Sequence, residues 1–427
     1  MSPEIVPLIA LIAMFVIATI FPINIGFLGF VGAFAVGALY LGFDDKEVLE
    51  AFPSHIVLTV IGVTYFFGMA KQNGTIDLMV NACIRAVRGK VSLIPWVFFL
   101  VAAFLTSLGT FSPAAVALIA PAAMTFAARS RMSPLVMGIM AINGAHEGAF
   151  SPISVSGILV RDLVESNGLS IPPWTLFFAS FGINLLLSVL TVVIYAAMSR
   201  VRTLEYTATG TMRTVNPHEV EDTEVHGPNR HQLLTLVLIA LILVLVLVLQ
   251  LPISFVSIGA GVILAFTNLK AQSEAISGIS WSTVLLVAGM ITYISMLEEM
   301  GTIDHLADAA LLIGAPIIVA MVLCYVIGVT SAFASSTALL AAIIPLSMPL
   351  LQTGSLPVTG VVAALAISAT VVDVSPFSTN GALVLANAQG IDRRVFYKQL
   401  LLNAVAVVAI APLLCWLILV IIPSWVM

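Results

Sequence analysis

Long apolar runs separated by short polar turns follow one another along almost the whole chain. Each run approaches the roughly 20 residues that an α-helix needs to cross about 30 Å of hydrocarbon. They predict ten full spans, at 5–21, 25–42, 54–71, 133–163, 174–199, 232–250, 252–269, 281–298, 357–387 and 400–423. Two further apolar stretches, 91–128 and 315–350, each lie between the third and fourth spans of one half. The pattern predicts an all-α polytopic membrane protein.

Composition supports this class. Of the 427 residues, 60% are hydrophobic and only 9% are charged, whereas about a quarter of an ordinary soluble domain is charged. The first apolar run has no basic n-region and no cleavage site, so we expect a transmembrane helix rather than a signal peptide. Cys83, Cys324 and Cys415 share no useful spacing, which favours buried thiols over a disulfide or a metal site.

One polar segment, 200–231, interrupts the apolar pattern and is predicted to be a flexible linker. We place the N-terminus outside and let 91–128 and 315–350 each enter and leave on one face. Then 14 of the 16 Lys and Arg residues fall on one side, with only Lys46 and Arg161 opposite. The positive-inside rule makes that side cytoplasmic. The linker is therefore predicted inside, and both termini outside, in a bacterial inner membrane.

The same charges indicate how 91–128 lies in the membrane. An odd number of crossings would separate the basic residues at 85–90 from those at 129–131. The charge pattern therefore favours a re-entrant hairpin.

The chain contains an internal repeat. The segment "TSLGTFSPAAVALIAP", which begins at Thr106, is similar to "TSAFASSTALLAAIIP", which begins at Thr330, 224 residues later. "SPISVSG" from Ser151 is similar to "SPFSTNG" from Ser375 at the same offset. "NGTID" is similar to "MGTID" at an offset of 227. Three matches in the same order indicate a duplicated half.

Each half holds five spans and one hairpin, and because five is odd the second half must enter the membrane upside down. The segment after "NGTID" is basic, whereas the segment after "MGTID" lacks Lys and Arg, as inversion requires. We predict two inverted repeats, 1–199 and 232–427, an architecture that recurs among secondary transporters.

One span in each repeat is too long to be continuous. The spans 133–163 and 357–387 would each reach about 46 Å as unbroken helices. Pro152 and Pro376 lie mid-segment, where each removes a backbone donor. Both spans are therefore predicted to be discontinuous helices, and irregular backbone at that depth persists only inside protein or beside a cavity.

Polar residues at the breaks and hairpin tips are the candidate binding groups, because unwound carbonyls suit cations and half-helix N-termini suit anions. Uncharged oxygens suit sodium, although oxygen alone does not select among hard cations. The predicted sodium ligands are Ser107, Thr110, Ser151, Ser331, Ser335, Asp373 and Ser375. The predicted substrate-binding residues of the broken helices are His146, Ser154, Ser156, Ser378 and Thr379. The alternative is that small hydroxyl residues only allow close helix packing.

Three ionisable residues, His146, Glu147 and Asp373, are predicted within spans and are functional candidates for that reason. Glu147 could instead pair with His146, and Arg161 is expected to pair with neighbouring acids at the surface. No Lys or Arg is predicted deep enough to hold an anion. A dianion would then need helix N-termini and co-bound cations, which would make its binding depend on sodium.

Hairpin, broken helix and inverted duplication together resemble the ion transporter superfamily, which includes the divalent anion/sodium symporters. The stretch "GAHEGAFSPISVSGILV" looks most like the MatC-type dicarboxylate carriers associated with malonate uptake. This resemblance implies a homodimer with a scaffold domain and a mobile transport domain. It also implies sodium-coupled uptake of a small C3 or C4 dicarboxylate through an elevator-like shift.

The symporters carry a Ser-Asn-Thr motif at each hairpin tip. This chain has Ser-Ser-Thr at 335–337 and Ser-Pro-Ala at 112–114, so neither tip has the Asn. The resemblance implies carboxylate-binding roles for Ser336 and Thr337 and, less directly, for Ser112. Asn380, in the second break, is predicted to supply an amide donor instead.

Two other functions remain open. A cation/proton antiporter of the same fold would carry the exchanged ion on Asp373 or Glu147. An intramembrane hydrolase built from a serine, His146 and Glu147 is disfavoured, because a single catalytic site does not account for duplicated polar sites. The chain has no phosphate-binding Gly-rich loop with Lys, which argues against ATP-driven transport.

Overall fold

The computed structural model describes residues 5–21, 23–86, 91–130, 132–206, 228–299, 315–332, 335–352 and 354–424. This part of the chain is helical and contains no strand. Most of the predicted linker, the whole "MGTID" phrase and the side chain of Cys83 lie outside the described residues.

The first half begins with an apolar helix and continues through a series of helices of varied length. They are α1 Ile5–Ile20, α2 Ile25–Gly32 with a π-helical continuation Ala33–Leu41, α3 Asp45–Glu50, α4 Ser54–Gln72, α5 Thr75–Ala86, α6 Ile94–Ser107, α7 Ser112–Arg129, α8 Pro134–Glu147, α9 Val155–Ser166 and α10 Pro173–Tyr206.

The second half is likewise a series of helices of varied length. Its helices are α11 Arg230–Leu243 with a π-helical continuation Val244–Val248, α12 Ile253–Thr267, α13 Leu269–Ser277, α14 Trp281–Glu299, α15 Pro316–Ser331, α16 Ser336–Gln352, α17 Val358–Val371, α18 Thr379–Ala386 and α19 Arg393–Cys415, which continues through Trp416–Ile421 to Ile422–Ser424.

Several helices can cross a membrane. Within the described residues, five are long and apolar enough: Ser54–Gln72, Ser112–Arg129, Pro173–Ala197, Arg230–Val248 and Arg393–Ser424. The bent pair α13 and α14, with 47° between its segments, makes a sixth if counted as one span. Shorter apolar helices account for most of the remaining predicted spans. The chain is a multi-pass membrane protein.

Three details differ from the sequence prediction. Helix α10 continues to Tyr206, so the linker predicted from residue 200 begins later. Helix α11 begins at Arg230, inside the other end of that segment. The short helices α3, α5 and α13 were not predicted, because each combines polar residues with too few turns to cross a bilayer.

The predicted burial of two thiols and the predicted pairing of Arg161 with neighbouring acids are confirmed. Cys324 and Cys415 are buried and free. Arg161 Nε lies 3.7 Å from Glu165 Oε1, and Arg161 Nη2 lies 3.9 Å from Asp162 Oδ1.

Helix boundaries recur at the offset seen in the sequence. Helices α8 and α17 are each 14 residues long, and both ends of α17 lie 224 residues after those of α8. The same offset joins the ends of α6 and α15, the starts of α7 and α16, and the starts of α9 and α18. The recurrence supports duplication; the inversion of the second half relative to the membrane stays a prediction.

The two halves interlock around the broken helices. Helix α7 of the first half packs against α18 of the second, and α16 of the second half packs against α9 of the first. Helices α4 and α12 form a second inter-half contact, and α2 packs closely on α14. The segments after both breaks are therefore held against the opposite half.

Candidate functional site

The first break separates α8 from α9. After Glu147 the chain forms the 3₁₀ turn Gly148–Phe150 and reaches α9 at Val155. Ser154 is the N-cap of α9: its Oγ accepts from Gly157 N at 3.1 Å and donates to Ser151 O at 2.8 Å. The predicted discontinuity of this span is thus present, and a serine closes it.

The second break repeats this construction. Ser378 Oγ accepts from Gly381 N at 3.3 Å and donates to Ser375 O at 2.7 Å. Ser375 Oγ accepts from Phe377 N at 3.2 Å, as Ser151 Oγ accepts from Ile153 N at 3.3 Å. Four residues predicted to bind sodium or substrate therefore hold the backbone of the breaks: Ser151, Ser154, Ser375 and Ser378.

A buried polar cluster joins the halves, and Asn380 lies at its centre. Its Nδ2 lies 3.1 Å from Ser112 Oγ, 2.9 Å from His146 Nε2 and 3.1 Å from Asp373 Oδ2. His146 Nε2 lies 3.9 Å from the same carboxylate oxygen of Asp373. We call these four residues the Asn380 cluster. All are at least nine-tenths buried.

Not every polar atom of the cluster has a hydrogen-bond partner. The Asn380 amide has two hydrogens for three neighbouring acceptors, and His146 accepts through Nε2 only as the neutral tautomer that carries its proton on Nδ1. Within the described residues, His146 Nδ1 and Asn380 Oδ1 are buried without a hydrogen-bond partner. Buried polar atoms are rarely left unpaired, so these two atoms are available to a ligand.

The tip of the first predicted hairpin lies against the first break. Ser151 Oγ donates to Ser107 O at 2.5 Å. Thr110 is buried, and its Oγ1 has no hydrogen-bond partner among the described residues. Hydroxyl and carbonyl oxygens therefore meet at this tip.

The tip of the second predicted hairpin is placed differently. Ser331 Oγ donates to the carbonyl of Ala369. Ser335 lines a cavity of about 170 Å³ together with Asn24 and Ser282, and no member of the Asn380 cluster lines that cavity. Ser336 is half-buried and Thr337 is buried.

The predicted sodium ligands do not converge on one point. Ser107 and Ser151 meet at the first tip, Ser331 bonds within the second half, and Asp373 belongs to the Asn380 cluster. Of the predicted substrate-binding residues Ser156 and Thr379, the first is buried and the second is exposed. Among the described residues, no group of three or more His, Cys, Asp or Glu side chains is placed to hold a metal ion.

One set of polar residues near the site was not predicted from the sequence. Helix α10 carries Ser180, Asn184 and Ser188 at four-residue spacing, all fully buried. Ser180 Oγ donates to His146 O at 3.0 Å, and Ser188 Oγ accepts from Asn143 Nδ2 at 3.0 Å. The signal was present as polar residues every fourth position in an apolar span, which places them on one helix face. They position α8.

Residues 1–149 match a family model described as the N-terminus of the dicarboxylate carrier protein MatC. The match covers the N-terminal third of the chain. The resemblance to MatC-type carriers is thereby confirmed, and the matched region contains Ser112, His146 and Glu147. Asp373 and Asn380 lie beyond it. A search of curated proteins found no match.

Solved structures show a similar fold. The YdaH transporter of Alcanivorax borkumensis aligns with a TM-score of 0.63 at 14% identity, over 90% of this chain and 89% of that one. MtrF of Neisseria gonorrhoeae, described with a class of antimetabolite efflux pumps, aligns with a TM-score of 0.60 at 12% identity, over 88% of this chain and 83% of that one. At these identities the likeness establishes the fold alone.

Proposed function

We propose that this protein is a secondary active transporter that takes up a small dicarboxylate, with malonate the first candidate. The observation that carries the proposal is the Asn380 cluster, where buried polar groups from both halves meet. Secondary transporters bind substrate at the interface of their repeats. The match of the N-terminal third to dicarboxylate carriers supports the substrate class.

The chemistry of the cluster favours a coupled cation. An amide, a hydroxyl and an imidazole can donate hydrogen bonds to a carboxylate, but the cluster contains no Lys or Arg. Asp373, if ionised, would repel a dianion from the same pocket. A co-bound cation would weaken this repulsion, so we propose sodium coupling. The oxygens of Ser107, Thr110 and Ser151 at the first tip are the candidate ligands.

Homodimerisation and an elevator-like movement complete the proposal. Both are implied by the resemblance to the divalent anion/sodium symporters. The interlocked contacts of α7 with α18 and of α16 with α9 support a compact body that carries both breaks together. We propose this body as the mobile transport domain.

Uptake into proteoliposomes tests the proposal. Each coupled sodium ion should support up to about tenfold accumulation across a tenfold sodium gradient. We therefore expect labelled malonate to accumulate when sodium is high outside and its uptake to be lost when choline replaces sodium. Succinate should compete with malonate if the pocket accepts C4 as well as C3 diacids. If no dicarboxylate enters faster with a sodium gradient, the proposed function is wrong.

A cation/proton antiporter is the second candidate, because Asp373 and Glu147 are both buried carboxyls. The two functions differ in the behaviour of neutral variants. A symporter should keep measurable malonate binding in Asp373→Asn and Glu147→Gln. An antiporter that carries its ion on one of these groups should lose cation/proton exchange in the variant of that group.

A further inference from the structure

Glu147 is a buried carboxyl that the Asn380 cluster does not use. It is 3% exposed, and its Oε2 makes no hydrogen bond within the described part of the chain. The predicted pairing with His146 is not formed, because His146 Nε2 is directed at Asn380 instead. An unpaired buried acid of this kind needs a physical explanation.

The register of α8 shows which way Glu147 faces. Asn143 lies one turn earlier on the same helix face, and it bonds to Ser188 of α10. Met140, on the neighbouring stripe of that face, packs with Phe99 of α6. Glu147 therefore projects into the groove between α6 and α10. His146 projects from a different face, so the two neighbours serve different surroundings.

The groove is rich in hydrogen-bond acceptors. Ser180, at the same level of α10, already donates its hydroxyl to the carbonyl of His146. Asn184 Nδ2 lies 3.0 Å from Ser180 O, while Asn184 Oδ1 is buried without a partner. Glu147 Oε2 and Asn184 Oδ1 are thus two buried acceptors that have no hydrogen-bond partner among the described residues.

No charge compensates Glu147 among the described residues. Helices α6, α17 and α18 and the turn Gly148–Phe150 carry no titratable side chain, and His146 and Asp373 are engaged in the Asn380 cluster. On the other helices that pack against α8, the titratable side chains that the structure describes are Arg129, Tyr195, Arg393, Arg394, Tyr397, Lys398 and Cys415. Arg129 is the last residue of α7, and Tyr195 lies in the C-terminal half of α10. The basic residues and the tyrosine of α19 lie in its first two turns, and Cys415 is its last residue.

We propose that Glu147 is a proton-binding site, separate from the Asn380 cluster, and that it is the neutral acid in this conformation. An ionised carboxylate without donors or counter-charge is strongly disfavoured at such a position. A bound proton removes the charge and converts the unpaired Glu147 carboxylate from an acceptor into a donor. Proton binding forms the carboxyl O–H bond with a proton from water. Proton release returns that proton to water when the groove opens.

This inference rests on the proposed transport function, to which it adds a proton as a second coupled ion. Because Glu147 adjoins His146 on α8, movement of that helix would carry both the substrate pocket and the proton site. Inward movement of one proton with substrate makes accumulation sensitive to an inside-alkaline pH gradient.

Infrared spectroscopy of the purified full chain tests the site without requiring transport. We expect the wild type at neutral pH to show a protonated-carboxyl C=O stretch that Glu147→Gln lacks. Asp162→Asn, which alters a partly exposed carboxyl near Arg161 and His55, should leave this band unchanged. If Glu147→Gln does not fold, Glu147→Asp supplies the comparison, because its band should shift in frequency. A wild-type spectrum with no such band would overturn the proposal.

Proteoliposomes test the coupling. In the wild type, an inside-alkaline gradient of one pH unit should add up to about tenfold malonate accumulation per proton. Glu147→Gln should lose this stimulation while keeping malonate exchange within about twofold of wild type. Stimulation that persists in the variant, or exchange that disappears from a folded variant, contradicts the proposal. If the wild type moves no dicarboxylate at all, the proposed function fails, and the infrared band alone decides the proton site.

Discussion

We expect the Asn380→Ala variant to take up malonate about 100-fold more slowly than the wild type. The substitution removes the donor that lies within 3.1 Å of Ser112, His146 and Asp373. Leaving buried acceptors without a donor costs about 1–3 kcal/mol per group, and a 100-fold loss corresponds to about 2.8 kcal/mol. Initial uptake rates in proteoliposomes, normalised to reconstituted protein, measure the effect.

The matched control is Asn387→Ala. Asn387 lies just after the same short helix, and its Nδ2 donates only to the local carbonyl of Leu383 at 2.8 Å. This variant should retain uptake within about twofold. Equal uptake by the Asn380 and Asn387 variants would show that the cluster does not bind substrate.

Gly381→Ala should prevent formation of the second break. A Cβ at this position would overlap the backbone carbonyl oxygen of Ser375, which accepts the hydroxyl of the N-cap Ser378. Neither backbone group can move without opening the capped turn, so we expect a loss of at least about 3 kcal/mol in the free energy of unfolding. Gly157→Ala should behave alike, because its Cβ would overlap the carbonyl oxygen of Ser151. The yield of monodisperse protein and its thermal midpoint report the change.

The control for both glycine variants is Gly182→Ala in α10. No heavy atom lies within 4 Å of a Cβ added there, so the variant should match the wild type in yield and midpoint. A folded and thermally unaltered Gly381→Ala protein would contradict the described geometry of the break.

Much of the fold was predictable because a bilayer restricts the choices. Hydrocarbon requires helices of a set length, so the apolar runs gave the long helices such as Ser54–Gln72 almost to the residue. Pro152 and Pro376 within over-long runs gave the two breaks. Leu269–Ser277 was missed because a short surface helix is not constrained by membrane thickness.

The site was predictable only in part. Sequence symmetry identified the break serines, but it could not distinguish a serine that caps a helix from one that contacts a ligand. Ser154 and Ser378 proved to be caps. The meeting of Asn380 with Ser112, 268 positions earlier, depends on how the two halves dock. No local pattern encodes that contact, whereas the polar face of α10 is visible in the sequence as Ser180, Asn184 and Ser188 at four-residue spacing.

The central claim is that one dicarboxylate site is shared by the two halves. Equilibrium binding of labelled malonate to wild type, Ser112→Ala, Asn380→Ala and the double variant tests it most directly, because the two residues come from opposite halves. We expect each substitution to weaken binding and the pair to be coupled by at least about 1 kcal/mol, so that the second change costs less after the first. Independent, additive effects, or malonate binding that is unchanged in all four proteins, would contradict the shared site.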